Sequence, residues 1–190
     1  MARGEHALVV GNPKTDFCSL KGAEMEARKA ADVFRDNGYK VREHLGEKGT
    51  TMDIPTALYA EEYRIIHLAG HGVLEAMSPD ASVSGMVIGP DEYLTPALID
   101  KMRTTPELVF INCCHIGRVE EKIFAPGELP YLAANLAAQL IRMGVRVVVA
   151  AGWAVDDKAA GAFAEYFYGE MFSGATFGDA VRKARGRIHD

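Results

Sequence analysis

Paired cysteines, concentrated positive charge and unbroken apolar runs are all scarce in this sequence, and each scarcity removes a class of function. The formal charge is −5 and no basic stretch is present that would neutralise a phosphate backbone, which argues against a nucleic-acid binder. The one basic cluster, Arg182, Lys183, Arg185 and Arg187, is spaced as the solvated face of a terminal helix, where cations complement the helix C-terminus. There are three cysteines, two of them adjacent (Cys113 and Cys114), so neither a disulfide framework nor a C-x-x-C zinc pair is available. A reducing cytoplasm is the expected setting, and no metal or organic cofactor is expected. The most apolar region, Leu132 to Trp153, is interrupted by Asn135, Gln139, Arg142 and Arg146 and is not a membrane span. The polar start, Met1 to His6, is unlike a signal peptide. No G-x-x-x-x-G-K-[ST] loop is present for a nucleotide, and Gly11-Asn12-Pro13-Lys14 stands where a receiver domain needs an acidic cluster.

What is present is an alternation of short β-branched runs with amphipathic stretches. Ala7–Val10 reads as a strand stopped by Gly11-Asn12-Pro13. Gly22–Asn37 reads as a helix with Ala23, Ala27, Ala30, Ala31 and Phe34 on one stripe and Gly38 at its end. Tyr39–Arg42 predicts an edge strand, Met52–Tyr59 a short helix, and Arg64–Ala69 a strand running out into Gly70-His71-Gly72. The Gly- and Ser-rich stretch Ser78–Tyr93 suggests an irregular excursion or a hairpin, and Thr95–Met102 a helix with Pro96 in its first turn. Leu108–Cys113 predicts a further strand. Arg118–Pro130 has no sustained period and reads as a long loop. Leu132–Met143, Asp156–Phe172 and Thr176–Ile188 predict helices, and Arg146–Ala151 a strand. Continuous apolar strands separated by helices imply a doubly wound α/β sheet with a mostly parallel order. The 190 residues fit one domain spanning 1–190, with no repeat or linker to divide it.

Such sheets do their chemistry beyond the carboxyl ends of the strands. Two motifs stand there, His67-Leu68-Ala69-Gly70-His71-Gly72 and Asn112-Cys113-Cys114-His115-Ile116-Gly117. If their strands are neighbours, His71 and Cys114 come side by side, and an imidazole beside a thiol generates the thiolate nucleophile. The amides of Gly72 and Cys114 are then candidates for an oxyanion hole. Against this stands the tendency of a strand cysteine to be core, which suits Cys113, since adjacent strand residues face opposite ways. His67 reads as a packed histidine within the strand, and His115 as a loop residue.

The motifs together resemble the CHAT family of caspase-like cysteine peptidases. Val9-Val10-Gly11-Asn12-Pro13 resembles its opening strand, Leu20 to Ala27 the start of its first helix, His67 to Gly72 its histidine motif and Leu108 to Gly117 its cysteine motif. Gly144 to Ala150, followed by Trp153-Ala154-Val155-Asp156-Asp157, resembles its last strand and Trp-x-Val-x-Asp segment. The 43 residues from His71 to Cys114 approach the roughly 50 of caspases.

The resemblance implies a three-layer α/β caspase-hemoglobinase fold and an endopeptidase with a Cys114–His71 dyad, acting on a protein substrate. It also implies a larger multidomain protein, with a regulatory repeat domain or an activating partner. Metacaspases, which cut after basic residues, carry Asp two places before the nucleophile, where this chain has Asn112. In separases a segment similar to Trp153–Asp157 helps bind an arginine side chain. Asp157, Asp156 and Trp153 are therefore candidates for the substrate pocket, with Asn112 bearing on its preference. The two acids also suit the first turn of a helix, where Asp caps and meets the dipole. The rival functions are a catalytically inactive interaction module on the same fold and an unrelated doubly wound binding domain.

Overall fold

The computed structural model describes residues 4–46, 53–77, 82–102, 104–115, 129–151 and 157–189. Among these residues the chain runs β1 (His6–Gly11), α1 (Lys21–Asp36), β2 (Lys40–Leu45), α2 (Asp53–Ala60), β3 (Ile65–Met77), β4 (Ser82–Gly89), β5 (Glu92–Leu94), α3 (Pro96–Ile99), β6 (Leu108–His115), α4 (Leu129–Arg142), β7 (Val147–Ala150), α5 (Asp157–Phe172) and α6 (Phe177–His189). Five strands form a parallel sheet in the order β2-β1-β3-β6-β7. Gly72 pairs with His115 of β6 on one side and with Met86 of β4 on the other. The antiparallel β3–β4–β5 extension thus takes up the edge of β3 that β1 leaves free after Gly11.

Strand alternation sends side chains to two separate cores. Leu8, Val10, Ile66, Leu68, Val109 and Ile111 pack with Ile54 and Leu58 of α2, Ile99 of α3, and Leu136 and Leu140 of α4. Ala7, Val9, Ile65 and Phe110 pack on the other face with Ala27, Ala31 and Phe34 of α1, Phe167 and Tyr168 of α5, and Ala180 and Ala184 of α6. This is the three-layer α/β architecture of caspase-like proteins, a mostly parallel sheet between helices. The alanine stripe of α1 lets the helix approach β1 closely. A Cβ at Gly11 would lie 2.3 Å from that of Ala27, so only glycine fits there. Gly38, at φ 84°, ends α1 in the left-handed region as expected.

Several boundaries differ from those the sequence predicts. β3 does not stop at Ala69 but runs on to Met77, because β4 supplies hydrogen-bonding partners to its second half. Of the two forms expected for Ser78–Tyr93, the hairpin is the one found: β4 pairs antiparallel with β5, which runs on to Leu94. β6 extends through Cys114 to His115, so His115 ends a strand rather than lying in a loop. The Thr95–Met102 helix shrinks to Pro96–Ile99, while α4 begins at Leu129 with Pro130 in its first turn, where a missing N–H costs nothing. No helix among the described residues is long and apolar enough to cross a membrane.

Candidate functional site

The parallel register of β3 and β6 runs Ala69↔Asn112, Gly70↔Cys113, His71↔Cys114 and Gly72↔His115. His71 and Cys114 are therefore lateral neighbours near the carboxyl end of the parallel sheet. Both stand inside strands, not in loops beyond them. Cys113, one residue earlier, packs against the core on the α2–α4 face. His71 has the same strand parity as His67 and lies with it on the α1–α5 face.

His71 is buried and is held from one side by the loop that follows β1. Its Nε2 lies 2.6 Å from the carbonyl oxygen of Cys18. A carbonyl only accepts, so Nε2 carries the proton and Nδ1 keeps its lone pair. The Phe17 ring leans against the imidazole with centroids 5.7 Å apart. Burial lowers the His71 pKa, and the Cys18 carbonyl opposes that shift in part. Gly70 is needed beside it: a Cβ there would lie 2.8 Å from Met86 Cε and 3.3 Å from Pro13 Cδ.

The loop is itself tied down by Asn12. This residue is buried at φ 51°, a left-handed conformation that asparagine tolerates better than most side chains. Its backbone N–H donates to the carbonyl of Ala69 at 2.9 Å. Its Nδ2 donates to Ser19 Oγ at 2.9 Å, and its Oδ1 accepts from the Leu20 N–H at 2.8 Å. In the sequence Asn12 reads as part of a strand stop and of the Val9–Pro13 motif, with no sign of a link to His71. Its bonding partners seven and eight residues on become visible only once the loop has folded back.

Two strand residues before the candidate pair lies a buried polar cluster. Asn112 Nδ2 donates to Glu26 Oε2 at 2.6 Å, and Glu26 is buried within α1. His67, fully buried, stacks on Phe110 with centroids 4.9 Å apart, and its Nδ1 is 2.9 Å from the Tyr168 hydroxyl. Its Nε2 lies 3.4 Å from Glu26 Oε1, a long contact. Desolvation lowers the His67 pKa to about 3, so the ring is neutral and the contact with Glu26 is not an ion pair at neutral pH. Burial, with Glu26 nearby, raises the Tyr168 pKa well above its ordinary value. Tyr168 thus keeps its proton and donates it to His67 Nδ1, which directs Nε2–H toward Glu26. Glu26 escaped the sequence reading, although the signal was there: a carboxylate three residues after Ala23 shares the buried alanine face of α1.

The remaining candidates are placed as follows. Gly72 lies in β3 between β4 and β6. Asn112 is partly buried and engaged with Glu26. Asp157 is the first residue of α5, and its side chain, like that of Cys114, is not described. Trp153 and Asp156 lie outside the described residues, as does most of the segment expected as the Arg118–Pro130 loop. Among the described residues no group of three or more His, Cys, Asp or Glu is arranged to hold a metal ion.

The family model of the CHAT domain matches residues 1–190, the full length of the sequence. No curated protein matches the chain. The chain belongs to the CHAT family, in agreement with its caspase-like architecture.

Proposed function

We propose that this CHAT domain is a cysteine endopeptidase in which Cys114 is the nucleophile and His71 its acid–base partner. The observation that carries the reading is the β3–β6 register, His71↔Cys114, together with the Cys18 carbonyl that leaves His71 Nδ1 as the proton acceptor. Because burial lowers the His71 pKa, the imidazole rests neutral and can take up a proton. Proton transfer to it accompanies the attack. Cys114 sulfur bonds to the scissile carbonyl carbon, and its proton passes to His71. His71 hands that proton to the leaving amine as the C–N bond breaks, giving a thioester. Water, deprotonated by His71, then cleaves the thioester, and the proton returns to the Cys114 thiolate. The amides of Gly72 and Cys114 stabilise the oxyanion.

Substrate selection rests on Asp157, Asp156 and Trp153, with Asn112 as the weaker contributor. The Asn112–Glu26 bond supports that ranking, since an amide already engaged by a buried carboxylate has less to offer a substrate. Activity in the cytoplasm is gated by a fused repeat domain or an activating partner acting on the segment after Cys114. The decisive experiment is labelling by an electrophilic peptide together with peptide cleavage. Cys114→Ala abolishes both, and Cys113→Ala leaves much of both. A dead Cys113 variant beside an active Cys114 variant overturns the assignment. Absence of labelling in the intact, partner-bound protein favours the inactive interaction module.

A further inference from the structure

We infer that Asn12 is a positioning residue for His71, acting through the loop of residues 13–20, an assignment that rests on the peptidase reading above. The loop is open to solvent over most of its length: Lys14, Asp16, Cys18 and Ser19 are exposed, and only Pro13 is buried. An exposed segment does not hold one carbonyl at 2.6 Å from an imidazole nitrogen unless its ends are fixed, because each free residue has backbone entropy to lose. Asn12 fixes both ends. Its main-chain N–H ties the start of the loop to Ala69, two residues before His71. Its side-chain amide reaches across to Ser19 and Leu20, immediately after Cys18. The loop is thereby closed, and Cys18 stands next to the closing bonds.

Inside the loop, Phe17 N–H donates to Thr15 Oγ1 at 3.2 Å, and the Phe17 ring lies 5.7 Å from that of His71. Pro13 packs at Gly70, where a Cβ would lie 3.3 Å from Pro13 Cδ. The sequence thus anchors the orienting carbonyl through one buried amide side chain rather than through the apolar core. Release of that amide frees the Cys18 carbonyl, and His71 loses the bond that keeps Nε2–H occupied and Nδ1 open.

Three variants separate this role from a general folding role. Asn12→Gly removes the side-chain bonds while tolerating φ 51° without strain. Asn12→Asp keeps an acceptor for Leu20 N–H and gains a second that the Ser19 hydroxyl can donate to. Ser19→Ala removes one of the two side-chain bonds. Two readouts are taken on the whole protein: steady-state kinetics on one peptide, and the 15N-edited signal of the His71 Nε2 proton.

In Asn12→Gly the Nε2 proton is lost to solvent exchange, and kcat falls about 10- to 100-fold with KM changed far less, the scale of a modest misplacement of a reacting group. Asn12→Asp recovers most of both, and Ser19→Ala falls between. The proposal is overturned if Asn12→Gly retains the protected proton and a kcat within about twofold of the parent, the range in which no orienting effect is resolved. It is equally overturned if Asn12→Asp is as impaired as Asn12→Gly while the proton persists in both. Should Asn12→Gly fail to fold, Ser19→Ala decides on the same two signals. The proton signal does not require turnover, so it tests Asn12 even where Cys114 labelling fails and the peptidase reading falls.

Discussion

His67 and His71 stand on one strand and one face, four residues apart, yet their surroundings give them opposite properties. His67 is enclosed on every side, stacked on Phe110 and bonded to Tyr168, and its pKa is lowered to about 3. No ordinary pH charges it, and its side chain has no exposed surface. His71 is held by the backbone carbonyl of an otherwise exposed loop, with its pKa lowered but a proton-accepting nitrogen left unbonded to that loop. Desolvation alone makes a histidine inert. Desolvation offset by one directed hydrogen bond at the carboxyl end of a sheet leaves the nitrogen on which the proposed base role of His71 rests.

The largest test of this contrast is alanine at each position. His71→Ala lowers kcat/KM by about 10^3-fold or more, since nucleophile and base act as a unit, and leaves the unfolding midpoint close to that of the parent. His67→Ala does the reverse. It removes a buried stacked ring and strands the Tyr168 hydroxyl, costing about 3 kcal/mol of stability, while the folded fraction keeps its activity. Urea unfolding alongside kinetics checks both. Equal activity losses in two stably folded variants would erase the distinction.

The next test is pH. His67 is neutral in the fold down to about pH 3, whereas in the unfolded chain it takes up a proton below its usual value of 6.5. The unfolded state thus binds more protons between these values, so stability is full above pH 6.5 and is lost as pH falls toward 3. The contribution of one such group is at most about 1.4 kcal/mol per pH unit. His71, also lowered, adds in the same direction. His67→Gln, which has no proton to take up, flattens the stability curve between pH 4 and 6.5 relative to the parent. Parallel curves would mean that His67 is more accessible than its surroundings indicate.

The division between legible and hidden features follows from how far apart the contacting residues are in the chain. The strand–helix alternation was readable because each element carries its own period, as in the alanine stripe of α1 or the valines of β7. The adjacency of His71 and Cys114 was readable from two unusual motifs and the topology of parallel sheets. The continuation of β3 to Met77 was not, because it depends on β4, whose Gly- and Ser-containing sequence has no strong strand period of its own. Asn12, Glu26 and Tyr168 were equally hidden. Each is an ordinary residue locally, a turn asparagine, a helix acid and a core aromatic, and acquires its role only when tertiary packing brings it to a histidine or its loop.

The smallest predicted effect is also the sharpest probe of whether the two histidines are independent. Tyr168→Phe removes one hydroxyl from a fully buried position and nothing else. Tyr168 keeps its proton at any working pH and spends it on His67 Nδ1, 2.9 Å away. Without that donor, Nδ1 either remains a bare buried acceptor or takes the proton from Nε2 and becomes a bare buried donor. Both tautomers leave one polar atom unsatisfied, at a cost of about 1 kcal/mol. The expected result is a small drop in unfolding free energy with kcat and KM each within about twofold of the parent, because Ala69 and Asn112 intervene between this pair and the His71–Cys114 register. If instead kcat falls about tenfold, or some 1.4 kcal/mol in barrier, while stability holds, then the Tyr168–His67–Glu26–Asn112 cluster sets the end of β6. His67 would then belong to the positioning of Cys114, and the contrast between the two histidines would be one of distance from the chemistry and not of kind.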